Sequence, residues 1–421
     1  MAQVTADVVA AQAERLIPVL KPMMEYDKGL FGKIKTKPGI TKVSSRVSRL
    51  TLQTLKGGDA GAVNLAGGDF GRSTASKYDV ATVAPRSIVQ RLEINYDAVH
   101  QTKGRPQAVF NLLTRETGLA AKQFLTFYDQ QLMTAGDGVL ATISAVAGDV
   151  ITCNNAPFFT QLLNDRQKVA VYDSALAVNR GEGRILDIEG ELVRFTFVGG
   201  EKPAGTVATD KILPAGVSGA SPPWLFGLPY SITSSATGTF LGLNRATVKR
   251  IRSHTVAAAS NALSPTHPRL LLDKVKQRMG VDGFKTDGYL WHLHPAQNKA
   301  WEDLAVLIER IDLGSGNKAV DLLPFTQYRI AGIPVFENIH AARDRMDLYN
   351  PSTWTRVESE AINWLTLQGK RVFMPSSTTD GSPVAAYLMY MIGWLEFVND
   401  NPPANGAITG LAIPTGYDLL A

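Results

Sequence analysis

Residues 106–135, PQAVFNLLTRETGLAAKQFLTFYDQQLMTA, constrain this chain more than any other run. Pro106 suits a first helical position, where its missing N–H goes unused. Gly136 and Gly138 follow, and residues without a Cβ readily take the left-handed angles that stop a helix. Val109, Leu112, Leu113, Ala120, Phe124, Phe127 and Leu132 recur at three- and four-residue steps, which predicts one helix with an apolar stripe along its length. Gly118 is the one discord, at a cost of about 1 kcal/mol against Ala. At ~1.5 Å per residue the rod is ~45 Å long and should span a whole domain.

Two extended runs precede this helix. Residues 43–55 alternate polar and apolar at Val43, Val47, Leu50, Leu52 and Leu55, with one slip in register that a β-bulge would absorb. Residues 78–96 form the second run. The spacer between them has no apolar period and holds Lys56, Gly57, Gly58, Gly61, Leu65, Gly67, Gly68, Phe70 and Gly71. It is too long for a tight turn. Two long strands with a glycine-rich tip predict a projecting β-arm with little to bury against in its own subunit. A two-stranded ribbon is marginal in water and gains order by lying on another molecule.

Composition narrows the function classes. Of 421 residues, 45% are hydrophobic and 19% charged, a globular balance with room for two or three domains. The formal charge of +5 tolerates nucleic acid nearby without marking a dedicated nucleic-acid reader. The single cysteine, Cys153, excludes an intrachain disulfide and fits a reducing cytoplasm. Residues 4–20 contain Asp7 and Glu14 and do not read as a signal peptide, and the most apolar run, 384–397, is too short for a membrane helix. A soluble protein with no membrane partner is expected.

Residues 5–25 carry a helical pattern that Pro18 and Pro22 interrupt. Lys28, Lys33, Lys35, Lys37, Lys42, Arg46 and Arg49 follow with no acid among them. Such a run is ordinarily a solvated face, with nucleic acid or an acidic patch on a partner subunit as the alternatives. Beyond the long helix, residues 139–214 read as short strands punctuated by Asp149, Asp165, Gly181, Gly190, Gly199 and Gly200, which predicts a small barrel or sandwich inserted as a module. Residues 215–230 are a Pro/Gly linker. The rest is mixed α/β, with helices expected near 241–258, 267–279 and 295–311 and strands at 287–294, 327–339, 362–374 and 384–398.

Candidate chemistry is sparse. His292 and His294 sit two apart, so on a strand both face one side, as metal ligands can. They lack a further Cys, His or acid partner nearby, and a strand end before Pro295 accounts for them. Gly181–Gly183 and Gly314–Gly316 are Gly-x-Gly fragments without the third glycine, and Gly29–Gly32–Lys33 lacks P-loop spacing. No G-x-S-x-G elbow occurs, and Cys153 has no histidine near it in sequence. Asp344 and Asp347 flank Arg343 and Arg345 in what reads as solvated surface. No catalytic residue, cofactor or metal site is expected.

A glycine-tipped β-arm feeding a long helix and then an α/β domain resembles the major capsid proteins of tailed bacteriophages, with their Hong Kong 97-type fold. Residues 226–256, FGLPYSITSSATGTFLGLNRATVKRIRSHTV, are similar to a stretch common in such coat proteins, and 387–411 fit a strand returning beside the spine helix. The resemblance implies an α+β fold divided as an N-terminal arm (1–42), an extended β-loop (43–96), the spine helix of a peripheral domain (97–138), the inserted β-module (139–214), a mainly axial α/β domain (215–360) and a return to the core (361–421). It implies a non-enzymatic virion protein, assembled in the host cytoplasm, that forms pentamers and hexamers around double-stranded DNA held by non-specific contact. Its further partners would be a separate scaffolding protein, a portal and a decoration protein. The tip residues and the basic arm would be the assembly contacts. Two other readings stay open: the shell of a cellular nanocompartment, and a polysaccharide-binding or hydrolytic enzyme for which no acid pair stands out.

Overall fold

The computed structural model describes residues 29–35, 41–42, 47–58, 73–95, 106–164, 167–190, 192–196, 202–216, 224–280, 283–312, 329–366, 369–373 and 386–414. In chain order come α1 (Leu30–Lys33), β1 (Thr41–Lys42), β2 (Ser48–Leu55), β3 (Lys77–Val83), β4 (Arg86–Asn95) and α2 (Pro106–Met133). Next are β5 (Ala141–Thr142), β6 (Ala145–Ala147), β7 (Val150–Thr152), β8 (Lys168–Tyr172), β9 (Asn179–Glu189), β10 (Leu192–Thr196) and β11 (Lys211–Pro214). Then follow α3 (Leu228–Ser231), β12 (Thr239–Phe240), β13 (Leu243–Asn244), β14 (His254–Ala257), α4 (Thr266–Met279), β15 (Leu290–Leu293) and α5 (Pro295–Asp312). The last strands are β16 (Arg329–Ile330), β17 (Ile333–Glu337), β18 (Arg345–Tyr349), β19 (Trp354–Trp364), β20 (Ala386–Asn399) and β21 (Gly406–Thr409). Contacts divide the chain into two compact units, 1–36 with 84–129 and 356–396, and 37–83 with 130–355 and 397–421.

In the first unit, β20 lies between β19 and β4, with Ala386 opposite Asn95 and Leu395 opposite Arg86. Its alternate residues Tyr387, Met389, Met391 and Leu395 are buried, which is the two-residue period of a strand with one face in the core. Helix α2 contributes Ala120, Ala121, Phe124, Leu125 and Tyr128 to this core. Phe127 is only half-buried, so the stripe runs through Tyr128 instead. Phe31 stacks on Tyr128 with ring centroids 5.3 Å apart, and Phe124 meets the same ring at 4.7 Å. Gly393 marks the closest approach of strand and helix. A Cβ there would come within 2.3 Å of the Tyr128 hydroxyl and 2.9 Å of Ile362, so only glycine fits.

The second unit holds two larger sheets. One runs in the order β5-β11-β8-β9-β10-β7-β6. Its two edge strands, β5 and β6, are separated in sequence by Ile143 and Ser144 alone, so the sheet has to curl back until its edges meet. Three main-chain bonds secure that corner: Ile143 N–H to Asp210 C=O at 2.8 Å, Thr209 N–H to Ile143 C=O at 2.8 Å, and Ser144 N–H to Thr152 C=O at 2.8 Å. Leu140, Ile143, Ile151, Val169, Val171, Ile185, Val193 and Ile212 fill the interior.

The other sheet runs β14-β21-β18-β15-β17-β16, with β14/β21 and β15/β17 parallel and the remaining pairs antiparallel. One face, Val256, Trp291, Leu293, Met346, Leu348 and Ile408, packs with Leu271, Leu272 and Val275 of α4. The Trp291 indole N–H donates to the Ile330 carbonyl at 2.9 Å, so its buried polar atom is satisfied.

Three expectations change here. Residues 241–258 are not a helix. Leu241 and Gly242 both take positive φ, 50° and 88°, and form the two-residue turn between β12 and β13. A single 3-10 turn at Lys249–Ile251 then leads into β14. The extended run 78–96 is two strands in different sheets, broken beside Pro85, which has no N–H for a ladder. The β2–β3 ribbon is also less isolated than its sequence implied. Ser48, Ala81 and Val83 are buried, and the Thr82 amide donates to the Leu241 carbonyl at 3.0 Å.

Candidate assembly surface

The β2–β3 ribbon carries the candidate surface. Ser48 lies opposite Val83, Leu50 opposite Ala81 and Leu52 opposite Asp79, and these pairs make the inner face. The register slips between Gln53 and Leu55. At that slip the Thr54 hydroxyl donates to Asp79 at 2.5 Å, and Lys77 lies 3.5 Å from the same carboxylate. The neck is drawn tight just beyond. Gly57 N–H donates to the Ser76 hydroxyl at 3.0 Å and Gly58 N–H to the Thr74 carbonyl at 3.0 Å. A Cβ on Gly57 would fall 2.4 Å from both the Ser76 nitrogen and the Thr74 carbonyl oxygen, and Gly58 sits at φ 96°. Both glycines are therefore required by the backbone.

The outer face pairs Arg49 with Thr82, Thr51 with Val80 and Gln53 with Tyr78. Leu55, Tyr78 and Val80 are 54%, 61% and 48% exposed, three apolar side chains along one ribbon face. Sequence reasoning missed Tyr78 and Val80. The available signal was an apolar residue on both faces of β3, the mark of a strand that is covered twice.

Of the residues expected to serve assembly, Lys56 is exposed beside the glycine neck, and Leu65, Gly67, Gly68 and Phe70 lie outside the described residues. Of the basic run, Lys33, Lys35 and Arg49 are exposed. Lys42 lies opposite Ser48 in the β1–β2 pairing, while Lys28, Lys37 and Arg46 lie outside the described residues. Lys33 and Lys35 belong to the first unit and Arg49 to the second.

The polar residues that resemble a chemical centre are interior supports. His292 and His294 on and beside β15 are both 1% exposed. Asp347, opposite His292 on β18, takes the Arg345 guanidinium at 2.8 Å. Burial opposes charge on Asp347, but Arg345 and then His292 hold its carboxyl below the ordinary range. Asp347 and Arg343 are buried, not the solvated surface their sequence suggested. Arg343 donates to Gln161 at 3.1 Å, and Gln161 in turn donates to the Ala341 carbonyl at 2.6 Å. Burial pushes the Cys153 thiol up to about 12, which leaves an inert thiol. A cavity of about 360 Å³ touches Asp137, Lys211, Asp344 and Arg345, but the Arg345 guanidinium is already committed to Asp347 and the Ile232 carbonyl. Among the described residues no three His, Cys, Asp or Glu side chains could hold a metal ion, and no helix is long and apolar enough to cross a membrane.

His294 gives a measurable pH signature. Its Nδ1 accepts the Ala296 amide at 3.1 Å, which requires the neutral ring. Burial, and then the Arg343 guanidinium, push its pKa from 6.5 down to about 4. The unfolded chain therefore takes up a proton at higher pH than the fold does, and stability falls as pH drops from 6.5 to 4. The loss is about 3 kcal/mol by linkage. Urea unfolding at both ends of that window should show this slope in the natural chain and a shallower one in His294→Gln. Equal slopes would remove His294 from the account.

No protein-family model and no curated sequence matches the chain. Its structure is similar to the chain of the cyanophage A-1(L) capsid asymmetric unit, at 13% identity over 90% of each chain with a TM-score of 0.50. It is also similar to a Mycobacterium phage Bobi chain (10% identity, 91% of this chain and 90% of that, TM-score 0.42). A third similar chain is that of the holo-SrpI encapsulin complex from Synechococcus elongatus PCC 7942 (9% identity, 90% and 85%, TM-score 0.39). The likeness to the cyanophage chain is of fold: this protein has the α+β phage capsid fold over 90% of its length.

Proposed function

We propose that the chain is a phage major capsid protein, a non-enzymatic subunit that self-assembles as pentamers and hexamers into a closed shell around double-stranded DNA. The observation that carries this is the length-for-length fold likeness to the cyanophage capsid chain, 90% of one against 90% of the other. The apolar outer face of the β2–β3 ribbon supports it, since a subunit that stays alone has no use for three exposed apolar side chains in a row. In this reading the tip at Lys56, Gly57, Gly58, Leu65, Gly67, Gly68 and Phe70 lies on an adjacent subunit, and the basic run from Lys28 to Arg49 meets acidic surface or nucleic acid. Many modest contacts of this kind add through multivalency. A separate scaffolding protein, a portal and a decoration protein complete the virion, which assembles in the host cytoplasm.

Electron microscopy of purified subunit, with and without scaffolding protein and over a range of salt, tests the proposal. Closed shells of uniform size are expected. Monodisperse single subunits under every condition would overturn it. A shell whose contents are an enzyme and not nuclease-protected DNA would make the protein a nanocompartment subunit.

A further inference from the structure

The positive charge of this chain is concentrated. Residues 245–278 hold eight lysines and arginines against one acid, Asp273, a net of +7 where the whole chain carries +5. Lys249 and Arg250 are exposed on the 3-10 turn, Arg252 follows it, and Lys274 and Arg278 stand one turn apart on α4. The fold gathers these around the uncharged turn at 401–405. The Ser253 hydroxyl donates to the Pro402 carbonyl at 2.7 Å from one side, and the Asn401 amide lies 3.8 Å from the Met279 sulfur at the end of α4 on the other. Lys274 donates to the Thr255 carbonyl at 3.2 Å and Arg252 to the Arg245 carbonyl at 2.7 Å, so two of the cations are held in place by neutral acceptors. None of the five forms an ion pair with a carboxylate among the described residues. His254, in their midst, is held below its ordinary pKa by burial and then by Arg278 and Lys274.

We propose that Lys249, Arg250, Arg252, Lys274 and Arg278 form a contact surface for the phosphate backbone of double-stranded nucleic acid. Its biological setting rests on the shell reading. Uncompensated cations repel one another and are stabilised by a polyanion that releases its counterions on binding. The surface suits phosphate better than an acidic protein face, because a protein interface needs an apolar centre to bury. Here Pro402, Pro403 and Ala404 at the centre are already buried within the subunit.

The test needs no shell. Binding of a short labelled duplex by the free subunit is followed by fluorescence anisotropy between ~50 and ~200 mM salt, a range over which phosphate contacts lose strength steeply. The side chains of Lys249, Arg250 and Arg278 make no hydrogen bond among the described residues, so the triple variant K249Q/R250Q/R278Q should fold unchanged. It is expected to bind about tenfold or more weakly at the low-salt end, with a slope of log K against log salt smaller by about 2 to 3. A dispersed triple of exposed cations, K285Q/R329Q/K370Q, should change neither. Equal losses in both triples would overturn the assignment. So would duplex binding at natural strength by the first triple together with a failure to close shells, which would assign the surface to an acidic face of a neighbouring subunit. Duplex binding that depends on this surface, from a natural chain that forms no shells, would uphold the surface and sink the shell reading alone.

Discussion

Replacing Arg86 by methionine is expected to cost the subunit about 3 to 5 kcal/mol, the largest effect of any single substitution proposed for its fold. Arg86 opens β4 and lies opposite Leu395, and its Nε sits 3.1 Å from the Glu396 carboxylate. The Glu396 side chain is 0% exposed, whereas that of Arg86 keeps 20% of its surface in water. The two halves of the pair are therefore unequal. Removing the arginine takes from a fully buried carboxylate the cation 3.1 Å from it, while removing the glutamate leaves a cation that can still reach solvent. The expected order of stability in urea is natural chain, then Glu396→Leu, then Arg86→Met. The double variant Arg86→Met with Glu396→Leu should recover most of the loss, because an apolar pair of similar volume replaces a buried ion pair at little cost. An Arg86→Met variant within about 1 kcal/mol of the natural chain would mean that Glu396 is neutralised by other means.

Periodicity reached the elements that bury a continuous face. The apolar stripe of residues 106–135 gave α2 to within two residues of its observed end at Met133, and the pattern of 267–279 gave α4. The strand-rich character of 139–214 was legible from turn residues such as Asp149 and Gly190, but Gly181 lies inside β9 and bounds no strand. What failed was decided by single backbone positions. Residues 241–258 carry apolar residues at helix-like spacing, yet the positive φ at Leu241 and Gly242 turns the chain back on itself within two residues. A leucine in the left-handed region has no sequence signature, because only tertiary contact holds it there. Pro85 was visible, but whether a proline interrupts one strand or separates two depends on which partner strands are waiting. Here β3 pairs with β2, and β4 with β20 some three hundred residues further on.

The candidate surface was half legible. Gly57 and Gly58 stood out from composition, and the distances at Ser76 and Thr74 supply the reason that composition could not. Tyr78 and Val80 were hidden by their own regularity. In a strand reading Lys77, Tyr78, Asp79, Val80, Ala81, Thr82, Val83, the eye settles on Ala81 and Val83 as the buried set and assigns the rest to solvent. The interior polar cluster around Arg343, Asp347, His292 and His294 was legible as residues but not as burial. Charged side chains close together in sequence read as surface unless their partners, here Gln161 and the β15–β18 pairing, are known.

Under the proposed shell reading, the outer face of the ribbon also separates assembly from folding. The pair Tyr78→Asp and Val80→Asp is expected to abolish shells while leaving the free subunit's stability within about 1 kcal/mol of the natural chain. Tyr78 and Val80 are 61% and 48% exposed, so little burial is lost when they go. Opposite them stand Gln53 and Thr51, neither of them acidic, so the new carboxylates meet no like charge across the ribbon. The fold's own carboxylate there, Asp79, points to the other face and keeps Thr54 and Lys77. In a shell the balance reverses. Each apolar side chain covered by a neighbour contributes about 1.5 to 3 kcal/mol, and a carboxylate buried there without a partner costs several more. That penalty recurs at every subunit, and a closed shell amplifies it because no subunit escapes it. Milder changes at the same positions, Tyr78→Phe with Val80→Thr, should leave shells intact, which distinguishes a covered apolar contact from a hydrogen bond made by the tyrosine hydroxyl. Thermal unfolding of the free subunit and electron microscopy of assembly mixtures read the two halves of the prediction separately. Shells of natural size from the Asp pair would show that nothing covers this face, and the role given to the β2–β3 ribbon would fall with it.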